Sequence, residues 1–366
     1  MKEFPRFFNH SLQLLSGWVL LGLATAAGSA RGEALMIGYT NCQGVAQYPQ
    51  ARMNQIAQFK WYFAHASVGG NLMSGIADLR TASSTFYPIQ STDEDAVPPA
   101  TTLPGRIYED NRGNPGWQAK MDLFGSSITN GWRFPAINIA VNKLCYIDET
   151  ADLAYCLESM GKLEAAFPET VFVYMTIPLT TDTDYANYLR NAFNDSLRDW
   201  VWANSRVLYD IADIESHDTS GAACTFTYNN RLCQRLYAAY TDDGGHLNTA
   251  GRQLAAKGFY ALAAALLDAD RDGDRLSDGC ELLAGTDPGD PKSVFALAGH
   301  KIENGSIVLR WPSAANRAYT LQASPQPQSS SFTNVMANLA PTPPWNTQTV
   351  ALPSGNSLFF RVLVRQ

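Results

Sequence analysis

The chain has 366 residues, 46% of them hydrophobic, and a formal net charge of −7 from 27 basic and 34 acidic side chains. That length and apolar content support a full core with room for a second module, and exclude a disordered or fibrous chain. The charge balance offers no basic face for nucleic acid or an anionic membrane, so the expected partner is small or neutral.

At the N-terminus, Lys2 and Arg6 precede an apolar run over residues 14–27 and the small residues Gly28, Ser29 and Ala30. This pattern predicts a secretory signal peptide at residues 1–30, cleaved after Ala30 or Ala34. A membrane anchor is the competing reading, but the run is short and contains glycine. No other run is long enough to cross a bilayer, so the mature chain is expected to be exported without a span, to the periplasm, the cell surface or beyond. Export gives the six cysteines a role as disulfide partners, with Cys145–Cys156 and Cys224–Cys233 as the first pairings because each closes a short loop. Cys42 and Cys280 remain, in different parts of the chain.

From about residue 56 to 267, strand and helix patterns alternate. AINIAVN (136–142), VFVYMTIP (171–178) and RVLYDIADI (206–214) are apolar, β-rich runs of the kind buried on both faces of a parallel sheet. Helical patterns lie at residues 151–167, at 183–203, where Leu189, Phe193, Leu197 and Trp200 recur every three or four positions, and at 249–267. Alternation of this kind predicts a three-layer α/β domain over residues 35–267, with a mostly parallel sheet and a ligand site beyond the carboxyl ends of its strands. The carboxylates Asp210, Asp213 and Glu215 follow one such strand without an obvious partner, and DTDY at 182–185 reads as a helix start.

An acidic linker, DADRDGDRLSDGCELLAGTDPGD, breaks the pattern at Asp268, and residues 268–293 form a segment of their own. Short alternating runs at 306–311, 318–323 and 357–364 then predict a small all-β module, a sandwich over residues 294–366. In the linker, Asp270, Asp272, Asp274, Asp278 and Glu281 occupy positions 1, 3, 5, 9 and 12 of a twelve-residue window. That is the oxygen spacing with which a short loop folds around a calcium ion. Arg275 stands at position 6, where the sharp turn ordinarily calls for glycine. The segment resembles the bacterial calcium-binding repeats related to thrombospondin type 3, with GTDP following at residues 285–288, and the resemblance implies one structural calcium. A solvated acidic linker without an ion is the alternative. The sequence calls for no cofactor in catalysis.

YFAHASVGGN (62–71) presents Ser67 either as a nucleophile or as an N-cap with Gly69 and Gly70 easing a turn. A serine nucleophile needs a base and a carboxylate. Of five histidines, His65 is too near Ser67 in sequence for a straight hydrogen bond and is expected to line the site. His246, in YTDDGGHLNTAG, stands before the last helix, where Asp243 can fold back onto its ring across two glycines. A zinc site of His65, Asp243 and His246 is a further alternative.

A serine after the first core strand and a late DxxH are similar to the SGNH, or GDSL-like, hydrolase family, over about residues 57–265. The resemblance implies a flavodoxin-like fold and an esterase with Ser67 as nucleophile, His246 as base and Asp243 as its partner. NRGNPG (111–116) looks like the second block of that family, with Gly113 or Gly116 as an oxyanion donor, and Asn142 in AVNKLCYID stands where the third block places asparagine. HASVGG in place of GDS, and the missing glycine and aspartate of block three, depart from the family. Gly69 and Trp117 join His65 as possible site lining, and Trp117, Trp132 and Tyr108 line a cleft or simply pack.

The implied substrate is a small-molecule or polysaccharide ester, a carbohydrate O-acetyl ester among them. A non-catalytic exported carbohydrate-binding or adhesion protein on a hydrolase fold is the alternative. The C-terminal module resembles immunoglobulin-like or fibronectin type III-like domains, with Trp311, Trp345 and Tyr319 as stacking faces or core residues. Nothing in the sequence sets the oligomeric state.

Overall fold

The computed structural model describes residues 33–93, 102–130, 136–326, 331–352 and 358–365. The expected signal peptide and Trp132 lie outside them. Two compact units are present: residues 31–282 with 287–290, and residues 283–286 with 291–366.

The first unit is built on a seven-stranded sheet of β1 (Leu35–Ile37), β2 (Lys60–His65), β3 (Gln90–Asp93), β4 (Arg106–Asn111), β5 (Ile139–Asn142), β6 (Val171–Met175) and β7 (Val207–Tyr209). Its spatial order is β1-β7-β6-β5-β2-β4-β3, and every pairing is parallel. The five inner strands, counted in chain order, run 2-1-3-4-5, the order of flavodoxin-like sheets. The chain leaves β2 for β4 on one side and later reaches β5 on the other, so a crevice opens beyond the carboxyl ends of β2 and β5.

Helices cover both faces. They are α1 (Tyr39–Gly44), α2 (Gln50–Ile56), α3 (Val68–Ala82), α4 (Trp117–Asn130), α5 (Leu153–Ala166), α6 (Tyr185–Ala203), α7 (Ile211–Ser216) and α8 (Thr249–Asp268), and the short α9 (Asp278–Ala284) follows the acidic loop. The period-2 alternation of β2 sorts its side chains between two cores. Tyr62 and Ala64 enter a cluster with Met121 and Phe124 of α4, Met160 of α5 and Leu197 of α6. Trp61 and Phe63 point the other way and meet Phe259 of α8, with ring centroids 5.6 and 5.5 Å apart. β2 is buried along its whole length, as a central strand covered on both faces must be. Asp152 and Asp184 cap α5 and α6, and the expected helix start at 182–185 is realised by the Asp184 carboxylate accepting from Asn187 N.

RVLYDIADI divides into β7 and α7. Asp210 caps α7 through Asp213 N and is held by Arg198 at 2.6 and 2.8 Å, so this carboxylate is structural. A two-stranded hairpin, β8 (Thr225–Tyr228) with β9 (Arg231–Gln234), follows.

The expected disulfides are corrected: all six cysteines are free thiols. Cys145 turns its sulfur to Asn114 Oδ1 at 3.0 Å, whereas Cys156 enters the apolar cluster between α5 and the sheet. Cys224 is in register with Arg235 through a backbone bond, while Cys233 faces Phe226, so the second pair is offset along the hairpin. Among the described residues no helix is long and apolar enough to cross a membrane.

The second unit holds two three-stranded antiparallel sheets, formed by β10 (Gly299–Glu303), β11 (Ser306–Pro312), β12 (Ala318–Ser324), β13 (Thr333–Leu339), β14 (Trp345–Ala351) and β15 (Phe359–Arg365) in the orders β10-β11-β14 and β13-β12-β15. Trp311 of one sheet meets Tyr319 of the other edge-on, with centroids 6.1 Å apart, and both are fully buried. They are core residues. Trp345 carries the Arg310 guanidinium 4.1 Å from its ring centroid.

Candidate active site

Ser67 follows β2 at the N-cap of α3, but its side chain caps nothing. The backbone there has φ 55° and ψ −116°, a conformation that costs a non-glycine residue of order 1–3 kcal/mol and persists only where the surroundings impose it. The hydroxyl lies 2.7 Å from His246 Nε2, 179 residues later in the chain.

His246 sits on a loop shaped by Asp243. One carboxylate oxygen accepts from Gly245 N at 3.0 Å and His246 N at 2.8 Å, and the other lies 2.7 Å from His246 Nδ1. Those two backbone donors, then the His246 ring, hold the Asp243 carboxyl well below the usual carboxylate range. An ionised Asp243 places the ring proton on Nδ1 and leaves Nε2 to accept from Ser67. Gly244, at φ 88°, makes the turn, and its carbonyl accepts from Thr181 N. Leu247 N donates to Asn71 Oδ1 at 3.0 Å, which ties the loop to the first turn of α3. Asn248, not His246, caps α8.

Tyr146 lies on the loop after β5, and burial, then the nearby Asp243 charge, raises its pKa. Its ring stands edge-on to the His246 ring, with centroids 5.5 Å apart. Gly245 permits that approach, because a Cβ there would lie 3.1 Å from the tyrosine ring. Nothing in the spacing of AVNKLCYID singles out this phenol.

His65 is turned the other way. It is 1% exposed, stacks on Phe63, and its Nε2 lies 3.0 Å from Glu109 Oε2. Burial lowers its pKa against the opposing pull of Glu109. Gly69 presses on this ring: a Cβ at Gly69 would fall 2.4 Å from His65 Cβ. The pair wedges the start of α3 against β2, and His65 joins neither a zinc cluster nor the Ser67–His246 contact.

The two loops expected to supply oxyanion donors interlock beside Ala66. Gly113 makes its turn at φ 70°, and Gly116 precedes α4. Arg112 reaches across to Asn142 Oδ1 and the Lys143 carbonyl, and burial lowers its pKa to about 10. Asn142 is 7% exposed and donates its amide to Met121 Sδ at 3.0 Å, so its side chain is engaged by the core. Lys143, fully buried, donates to the Ala66 carbonyl at 3.2 Å. Trp117 packs edge-on against Tyr155, and Tyr108 is buried with its hydroxyl on Leu103 N, so both are packing residues.

In the acidic loop, Asp270, Asp272 and Asp274 bring carboxylate oxygens within 4.8 Å of one another, the one such cluster among the described residues. Each also receives a backbone N–H of the loop: Asp270 from Gly273 and Arg275, Asp272 from Asp274, and Asp274 from Leu276. Arg275 adopts φ 82°, the left-handed turn that glycine ordinarily supplies at that position. Asp272 Oδ2 and Asp274 Oδ2 are buried with no hydrogen-bond partner, and burial, with the charges of Asp274, Asp270 and Asp278, pushes the Asp272 carboxyl up to about 6. Orphaned, mutually repelling oxygens fit a hard divalent cation. Of the other two expected ligands, Asp278 receives both the backbone N–H and the guanidinium of Arg271, and Glu281 is buried on α9.

No protein-family model and no curated protein matches the chain. Among solved structures, a candidate acylhydrolase from Bacteroides fragilis is similar at 12% identity, covering 58% of this chain and 88% of that one, with a TM-score of 0.34. A GDSL-like lipase from Bacteroides thetaiotaomicron is similar at 10% identity, covering 63% and 96%, with a TM-score of 0.37. A candidate lipolytic protein of the G-D-S-L family from Desulfitobacterium hafniense is similar at 7% identity, covering 56% and 99%, with a TM-score of 0.35. At these values the likenesses do not assign the site, which stands on its own geometry.

Proposed function

We propose that the chain is an exported serine ester hydrolase of the SGNH, GDSL-like kind, with Ser67 as nucleophile, His246 as general base and acid, and Asp243 as the carboxylate that orients the imidazole. The observation that carries this reading is the 2.7 Å contact of Ser67 Oγ with His246 Nε2, backed by Asp243 on Nδ1 at 2.7 Å. A binding protein has no need to hold a serine at φ 55° with its hydroxyl on an imidazole.

In the reaction, Ser67 Oγ forms a bond to the ester carbonyl carbon as its proton passes to His246 Nε2 and the carbonyl π pair moves onto oxygen. The tetrahedral intermediate collapses, the alcohol leaves with the proton returned by His246, and an acyl-Ser67 remains. Water, deprotonated by His246, then releases the acid and restores the serine. Asp243 stays ionised throughout and stabilises the imidazolium.

The substrate class proposed is an O-acetyl ester, on a carbohydrate among others. The acidic loop is proposed as a structural calcium site held by Asp270, Asp272 and Asp274, outside the chemistry, and residues 294–366 as a small β-sandwich module. The test is hydrolysis of acetyl esters, simple and carbohydrate-borne, by the wild type, Ser67→Ala and His246→Ala. The reading expects both variants to lose turnover; hydrolysis unchanged in both overturns it.

A further inference from the structure

We propose that Lys143 is a positioning residue for the nucleophile: its Nζ holds the Ala66 carbonyl and so aims the Ser67 backbone N–H at the oxygen that becomes negative during attack. This rests on the ester-hydrolase reading of the site and adds to it a residue that the family resemblance does not supply.

The partners of this lysine carry the inference. Lys143 is fully buried, and a lysine is almost never so unless it is paired. Lys120, equally buried, has the Asp148 carboxylate at 2.5 Å. Lys143 instead gives its Nζ to the Ala66 carbonyl at 3.2 Å and approaches Cys145 Sγ at 3.4 Å. A methionine would fill the same space without the cost of desolvating an amine. What the lysine adds is a donor, and that donor is directed at the peptide carbonyl that precedes Ser67. Its backbone is fixed for this task. Lys143 N donates to the Ala64 carbonyl of β2 at 3.1 Å, and Arg112 holds the Lys143 carbonyl at 2.7 Å, so the side chain starts alongside β2 and reaches the turn where that strand ends.

In a trans peptide the C=O and N–H point in opposite directions. Gly69 N at 3.0 Å and Lys143 Nζ at 3.2 Å both hold the Ala66 carbonyl, which turns the Ser67 N–H away from them. Ser67 N and Oγ belong to one residue, so once Oγ bonds to the ester carbon, the oxygen on that carbon comes within reach of the same N–H. A donor on the carbonyl also polarises the peptide and strengthens its N–H. Ser67 keeps φ 55° only where its surroundings impose it, and the peptide that precedes it is fixed by Lys143 together with Gly69. The asparagine expected to donate nearby is occupied, since Asn142 gives its amide to Met121 Sδ and its oxygen accepts from Arg112.

The experiment is steady-state hydrolysis of an acetyl ester by the wild type, Lys143→Met and Ser67→Ala, with active-site titration fixing the enzyme concentration, together with inhibition by a trifluoromethyl ketone, which forms a tetrahedral oxyanion on the serine. Methionine keeps the length and packing of the side chain and removes the donor, so a merely structural lysine predicts unchanged kcat and ketone affinity per titrated site. Because Gly69 still holds the carbonyl, the inference predicts part of the effect of losing one oxyanion donor, a decrease of about 10–10²-fold in kcat, with KM within about twofold and ketone affinity reduced by a similar factor. It is overturned if Lys143→Met keeps kcat within about threefold while Ser67→Ala is inactive, or if kcat falls and ketone affinity does not. If Lys143→Met does not fold, a crystal structure of the wild-type ketone adduct decides: the inference expects the ketone oxygen about 2.7–3.1 Å from Ser67 N with Lys143 Nζ still on the Ala66 carbonyl, and an oxygen turned away from Ser67 N overturns it. A wild type no faster than Ser67→Ala overturns the ester-hydrolase reading itself.

Discussion

Replacing Asp243 by asparagine isolates the part of the site that orients the base. The substitution keeps the side-chain shape and an acceptor for Gly245 N and His246 N, both of which bond to one carboxylate oxygen. The other oxygen, now 2.7 Å from His246 Nδ1, becomes an amide donor. To accept from it, the ring must move its proton to Nε2, the nitrogen that has to receive the Ser67 proton. In a fully enclosed triad this inversion costs about 10⁴ in kcat, or roughly 5 kcal/mol. Here the side chains of Asp243 and His246 are 56% and 40% exposed, so water can share the Nδ1 contact and part of the loss is screened. The expected decrease is therefore about 10²–10⁴-fold in kcat, with KM little changed and the fold intact by circular dichroism. The assay is acetyl-ester turnover with enzyme concentration fixed by active-site titration. An Asp243→Asn enzyme within about threefold of wild type would refute the role given to this carboxylate.

Three further outcomes follow from local physics. Glu215 is buried with Oε2 lacking a partner, and burial raises its pKa to about 8 from an ordinary 4.5. The folded state thus holds a proton that the unfolded chain releases, so stability is greatest below 4.5 and declines as pH rises to about 8, by on the order of 5 kcal/mol at most. Glu215→Gln should flatten melting temperature against pH across that window, and parallel curves would contradict the burial argument. Chelation should lower the melting temperature of the wild type but not of an Asp272→Asn, Asp274→Asn double variant, while small-ester turnover is kept; a site filled to 100 times its Kd contributes about 2.7 kcal/mol. If chelation changes neither melting nor bound calcium, the metal proposal fails. Gly69→Ala gains about 1 kcal/mol of helix propensity, but its Cβ meets His65, which is too buried to move aside. Overpacking at about 1–3 kcal/mol should win, and an equal or higher melting temperature would show that the wedge is not tight.

The layered α/β arrangement was legible because β5, β6 and β7 lie in continuous apolar runs and the long helices carry strong periodicity, whereas the inner strand β4, RIYEDN, is mostly polar and was not. The short edge strands β1 and β3, and the polar strands β10 and β13, were not, since an exposed strand of few residues has no pattern distinct from a loop. The convergence of Ser67, Asp243 and His246 was legible because a nucleophilic serine would need a base and that base a carboxylate. The approach of Tyr146 to His246 was not: it depends on how the loop after β5 folds and on the space that Gly245 leaves. Asn142 shows the converse. The family resemblance marked it as a donor, but its side-chain oxygen accepts from Arg112 and its amide donates to Met121 Sδ. The cysteines were misread because pairing by loop length ignores where each sulfur points. Cys145 and Cys156 face opposite needs, one under the Ser67 loop and one in the apolar cluster.

The central claim is that Ser67 is a nucleophile activated by His246, and covalent trapping tests it most directly. The protein would be treated with a fluorophosphonate and the modified peptide located by mass spectrometry. The account predicts one adduct per chain on Ser67, formed at least about a hundredfold more slowly in His246→Ala. An unmodified Ser67, or labelling at the same rate without His246, would contradict it.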